Sequence, residues 1–159
     1  EIPRVIADYA HAAENAKRAG FDGVQLHGAN GYLIDQFLRD NSNLRDDEYG
    51  GPIENRIRLL GEVTEALIGV WGADRVAVRL SPNGETQGVD DSNPEALFTA
   101  AAAKLDSLGI AFLELREPGA EGRPRVPPAV FTPPPVTRLA WPRKASRARG
   151  SATCSASLA

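Results

Sequence analysis

Three short apolar runs alternate with three stretches of helical periodicity, and that alternation constrains the fold more than any other property of the chain. The runs are Phe21 to His27, Val76 to Leu80 and Ile110 to Leu115. Before the first, Ile2, Val5, Ile6, Tyr9, Ala12, Ala13 and Ala16 recur at three- and four-residue spacing, the signature of an amphipathic helix. Pro3 is tolerated in its first turn, Lys17 and Arg18 suit the negative end of the helix dipole, and Gly20 suits a stop. Pro52 opens the second helical stretch, where Ile53, Ile57, Leu60, Val63, Leu67 and Val70 trace one face to about Trp71. Asn93 reads as the N-cap of the third, followed by Pro94, an apolar face of Leu97, Phe98, Ala101, Leu105 and Leu108, and Gly109 as the stop. The order α-β-α-β-α-β predicts a parallel sheet with right-handed crossovers.

A chain of 159 residues is long enough for one domain with a sizeable core. Its one cysteine, Cys154, excludes an internal disulfide framework and a cysteine-based zinc site. No apolar run approaches the ~18 residues of a membrane helix, so no membrane partner is expected and the default compartment is cytoplasmic. His11, on the first helix, reads as an ordinary residue, and no metal site is expected. Charge divides the chain: residues 1–120 carry 11 Lys and Arg against 20 Asp and Glu, residues 121–159 carry 7 against 1, and seven of twelve prolines follow residue 120. The second part lacks a sustained period of two or 3.6, so 120–159 is expected to be a disordered Pro/Arg/Ala/Ser-rich tail. Its positive charge does not by itself make it a nucleic-acid ligand, and no such partner is expected. With Glu1 first and no methionine anywhere, an internal fragment is expected, processing of the N-terminus being the alternative.

Chemistry concentrates just past the first run. Val24-Gln-Leu-His27-Gly-Ala-Asn30-Gly-Tyr32 breaks at Gly28 and sets His27, Asn30 and Tyr32 within six residues, where the loops of barrel-type α/β proteins line one open face. A neutral histidine and an asparagine amide both donate hydrogen bonds to a substrate oxygen, and a tyrosine phenol keeps a proton that it can deliver. Side by side they suit polarising a carbonyl or nitro group and protonating a nearby carbon. A barrel enzyme using His27 alone as a proton-transfer base is the competing reading, and the pairing with Asn30 and Tyr32 argues against it.

Two motifs carry a family resemblance. One is His27-Gly-Ala-Asn30-Gly-Tyr32-Leu-Ile-Asp-Gln-Phe-Leu38. The other is Asn43-Leu-Arg45-Asp-Asp47-Glu-Tyr49-Gly50-Gly51-Pro-Ile-Glu54-Asn55-Arg56, with Val78-Arg79-Leu80-Ser81-Pro82 following. Residues 1–119 resemble the Old Yellow Enzyme family of FMN-dependent ene-reductases. The resemblance implies an α/β fold, a partial (β/α)8 TIM barrel of about three βα units over 1–119, with 120–159 as the tail. It implies FMN as cofactor, NAD(P)H as reductant and a small activated alkene as substrate. It casts His27 and Asn30 as substrate-oxygen ligands, Tyr32 as the general acid and Arg79 as a contact to the flavin pyrimidine edge. Arg45, Asp47, Glu54, Asn55 and Arg56 read as structural, pinning the loop and the helix start; Glu114 and Arg116 have no assigned role.

The chain departs from the family pattern in three places. It has three expected strands where a closed barrel has eight. No Gly-rich strand–helix pattern that would grip the flavin phosphate follows residue 119. Gln25 stands where the family leads one to expect an acidic residue. A catalytically inert piece that does not bind FMN is therefore the alternative reading.

Overall fold

The computed structural model describes residues 1–84, 86–116 and 153–156. Helix α1 (Ile2–Arg18) buries Tyr9, Ala13 and Ala16, the small residues letting it lie close to its neighbour. Strand β1 (Gly23–Gly28) follows, then the six-residue helix α2 (Leu33–Leu38). After a long loop come the single turn α3 (Ile53–Arg56) and helix α4 (Arg58–Trp71), strand β2 (Val76–Leu80), helix α5 (Pro94–Ser107) and strand β3 (Phe112–Leu115). At α5 the Asn93 side chain accepts from the Ala96 backbone N–H at 3.2 Å, the N-cap that the sequence predicts. The helix predicted from Pro52 to Trp71 is divided at Ile57 (φ −82°, ψ −6°). Just before this point the Arg56 guanidinium donates to Gly51 O, Leu38 O and Asp91.

Among the described residues these strands and a fourth, β4 (Thr153–Ala156), run parallel in the order β3-β2-β1-β4. The succession β1, β2, β3, each joined to the next through a helix, is the arrangement of consecutive units of a (β/α)8 barrel, of which this chain forms part. Strand β4 lies in the stretch expected to lack regular structure. It pairs with the outer edge of β1, Thr153 to Ala156 standing opposite Gly23 to Leu26. That edge otherwise presents unpaired N–H and C=O groups, and any short extended segment can satisfy them. Four residues are too few to show a period of two, which is why no strand is legible there. The remaining part of the tail expectation lies outside the described residues.

Strand alternation sends the two faces of the sheet to different environments. Val24, Leu26, Val76, Val78 and Leu80 face the helices, packed among Leu60, Val63, Leu67, Leu97, Phe98 and Leu105 in one core. Burying each such side chain contributes roughly 1.5–3 kcal/mol. Trp71 closes the α1 side by donating its indole N–H to Ala13 O at 3.0 Å. The opposite face carries Gln25, His27, Ala77, Arg79, Phe112 and Glu114, the positions that alternate with the core residues along β1, β2 and β3. Polar and charged groups collect on that face.

Candidate active site

The strand-end turn after β1 is built by close packing. A side chain at Gly28 would meet Leu80 Cδ2 at 3.0 Å and Arg79 O at 3.2 Å, tighter than ordinary contact, so glycine lets β1 and β2 approach closely without displacing either. Asn30 (φ 60°) and Gly31 (φ 76°) then take left-handed conformations in succession, a strained combination for asparagine that the surroundings must hold in place.

A buried polar network does so. Asn30 N–H donates to Ser81 Oγ at 2.9 Å, Gly31 N–H to Asp35 Oδ2 at 3.0 Å, and the Ser81 hydroxyl to the same Asp35 oxygen at 3.2 Å. Arg39 donates its Nε–H to Asp35 Oδ1 at 2.9 Å and an Nη2–H to Ser81 O at 2.6 Å, with its guanidinium 4.6 Å from the Phe98 ring centroid. The side chains of Arg39 and Asp35 are 2 % and 0 % exposed. Each charge is therefore paired and hydrogen-bonded, the condition under which a buried ion pair is tolerated. The loop after β1 is thereby tied to the loop after β2. Nothing in their spacing marks Asp35, Arg39 or Ser81 for this work beyond the i,i+4 relation of the first two.

The four site residues predicted from the sequence collect at this one end of the sheet. The His27 and Tyr32 rings lie 5.2 Å apart, centroid to centroid, tilted by 60°. His27 stands opposite Arg79 in the β1–β2 register, and Arg79 opposite Glu114 in the β2–β3 register, so the three form one row across three strands. Burial, then the neighbouring Arg79 charge, push the His27 imidazole below its ordinary 6.5, outweighing Asp35 and Glu114. His27 is therefore neutral at pH 7, with one ring N–H to donate. Arg79 donates from Nη2 to Glu114 Oε1 at 2.8 Å. Its Nε–H is buried and finds no acceptor among the described residues, and neither does Asn30 Oδ1 find a donor. Buried polar groups are nearly always paired in a native protein. Two orphans at one strand end mark a place where a ligand's polar edge fits.

The second motif is structural in the described geometry. Asn43 donates to Phe37 O at 2.6 Å and Tyr49 O at 2.7 Å, Arg45 pairs with Asp47, and Asn55 donates to Gly50 O at 3.1 Å. Tyr49 O–H donates to Glu62 at 2.9 Å. Arg56 is buried against Asp91, a partner that its own motif does not reveal. Among the described residues no three of His, Cys, Asp and Glu group as metal ligands, and no helix is long and apolar enough to cross a membrane.

Comparison with known proteins places these features in a family context. The model of the NADH:flavin oxidoreductase / NADH oxidase family matches residues 1–126. The chain is 52% identical over 118 residues to a putative 12-oxophytodienoate reductase 11 of Oryza sativa subsp. japonica, an alignment covering 74% of this chain and 32% of that protein. Among solved structures it is similar to the Old Yellow Enzyme homologue from Zymomonas mobilis, with 57% identity, a TM-score of 0.77, and 82% of this chain and 38% of that one covered. Morphinone reductase in complex with tetrahydroNAD is 48% identical with a TM-score of 0.71, over 72% of this chain and 32% of that one. The chain thus spans about a third of the length of the relatives it matches.

Proposed function

This chain belongs to the NADH:flavin oxidoreductase / NADH oxidase family, the Old Yellow Enzyme family, and from that premise we propose that its strand-end site is the substrate side of an FMN-dependent ene-reductase. The observation that carries the proposal is the row in which a neutral, buried His27 stands beside Arg79, whose buried Nε–H has no acceptor. Bound FMN, reduced by NAD(P)H, supplies a hydride to the β-carbon of an alkene conjugated to a carbonyl or nitro group.

The chain's own residues supply the rest. The His27 N–H and the Asn30 amide donate to the substrate's carbonyl or nitro oxygen, where negative charge develops as the β-carbon accepts the hydride. A preorganised donor of this kind contributes about 3 kcal/mol to the transition state. A neutral His27 keeps one ring N–H with which to donate. Tyr32, its ring against His27, delivers its phenolic proton to the α-carbon as that charge collapses. The product has gained one hydride and one proton across the double bond. Arg79 fits the flavin edge through its free Nε–H. Morphinone reductase was solved with tetrahydroNAD, and a nicotinamide reductant is part of the same proposal.

Tyr32→Phe tests the assignment by separating the half-reactions in the FMN-loaded chain. Stopped-flow reduction of the flavin by NAD(P)H is expected to be nearly unchanged, while reoxidation by an enone slows about 10²-fold or more. Equal loss of both half-reactions removes Tyr32 from the role. The four strands described here, against eight in a closed barrel, favour a second reading, in which the chain neither binds FMN nor turns over.

A further inference from the structure

Glu114 is a charged group at the strand ends to which the reaction assigns no work, and Gln25 is its partner. Both belong to the face opposite the core. Glu114 continues the His27–Arg79 row onto β3, and Gln25 precedes His27 by two residues on the same side of β1. The carboxylate is divided between two donors: Arg79 Nη2–H reaches Oε1 at 2.8 Å, and the Gln25 amide reaches Oε2 at 2.7 Å. An arginine and a carboxylate left to themselves commonly pair as a fork, two N–H groups to two oxygens. Here the second oxygen is turned to Gln25 instead. The Arg79 Nε–H, which a side-on fork would consume, is left buried and without an acceptor.

We propose that Glu114 is a positioning residue that fixes the Arg79 guanidinium through Nη2, and that Gln25, by occupying the other carboxylate oxygen, keeps the Arg79 Nε–H free for the ligand. The proposal rests on the reading of Arg79 as the flavin-edge residue. It also accounts for a neutral donor at position 25. A carboxylate there would stand against Glu114 at hydrogen-bond distance, and two like charges so close raise one another's protonation. The charged and titratable groups facing Glu114 are Arg79 and His27, with Gln25 as the neutral donor. Burial works to raise the Glu114 carboxyl, but the bonds from Arg79 and Gln25 prevail and hold it below its ordinary value, so the clamp is fully formed at neutral pH.

The test follows the Arg79 Nε–H resonance in the ¹⁵N-labelled full chain without cofactor, assigned by its loss in Arg79→Lys. In Gln25→Leu the freed oxygen closes the fork, and the resonance moves downfield as a charge-assisted bond forms. In Glu114→Gln the guanidinium loses its anchor, and the resonance exchanges faster and no longer responds to acid. In the wild-type chain its chemical shift changes only when pH falls below the ordinary glutamate range, as Glu114 takes up a proton and the clamp opens. A resonance unaltered by either variant overturns the proposal. Glu114 and Gln25 are half-buried on the face away from the core; if Glu114→Gln does not fold, Gln25→Leu decides alone. FMN fluorescence titrations on the same samples should show both variants binding about tenfold more weakly. Absence of FMN binding in every sample, wild type included, overturns the ene-reductase reading of this chain, while the resonance still decides the clamp.

Discussion

His27 is 9 % exposed, and it shares a row with a guanidinium. Both conditions disfavour the imidazolium in the folded chain, whereas the unfolded chain protonates freely near 6.5. The unfolded state therefore binds the extra proton first as pH falls. The contribution of His27 to stability is complete above 6.5 and is lost as pH drops from there to the lowered folded value. Urea unfolding at pH 7.5 and 5.5 should give a lower midpoint at pH 5.5, with a smaller drop in His27→Gln. A drop of the same size in both chains would show that His27 is not the group responsible. At this scale His27, Asn30 and Tyr32 are legible in the sequence because they fall within six residues of one strand end. Ser81 and Asp35 are not, because they meet across 46 positions of chain and neither residue type is unusual where it stands.

The strand-end turn of residues 28–35 is the element on which the site depends, and its tightest point is Gly31. That residue has φ +76°, and an added Cβ would lie 2.6 Å from Thr86 O and 2.8 Å from Gln87 Cβ. Backbone strain and overlap act together, so Gly31→Ala is expected to destabilise the chain by about 1–3 kcal/mol. Chemical denaturation measures this directly; a midpoint within error of wild type would contradict the described turn. Regular helices show in the sequence because their periodicity and caps are local, as Asn93 illustrates at α5. The pairing of Arg56 with Asp91 does not, because its partner lies 35 positions away.

Across the molecule, the described residues form a parallel sheet covered by helices on one face, with polar residues along the other. Its sequential strand order is legible because each βα unit is local and the crossover hand is fixed. The pairing of β4 with β1 joins residues about 130 positions apart, through a segment whose composition carries no strand signal. It serves to close an edge. Removing residues 153–159 is therefore expected to leave β1 with an open parallel edge and to raise self-association, visible by light scattering at micromolar concentration. Scattering identical to that of the full chain would show that β4 protects nothing.

The strand-end row is proposed to be a flavin-edge site, and an FMN titration of the purified chain, followed by quenching of flavin fluorescence, decides it. Saturable binding in the micromolar range or tighter, weakened about tenfold or more in Arg79→Leu because a buried charged donor is lost, is the predicted result. A flavin signal that stays unquenched as chain is added would contradict it, leaving family membership intact and the chain without the chemistry proposed for it.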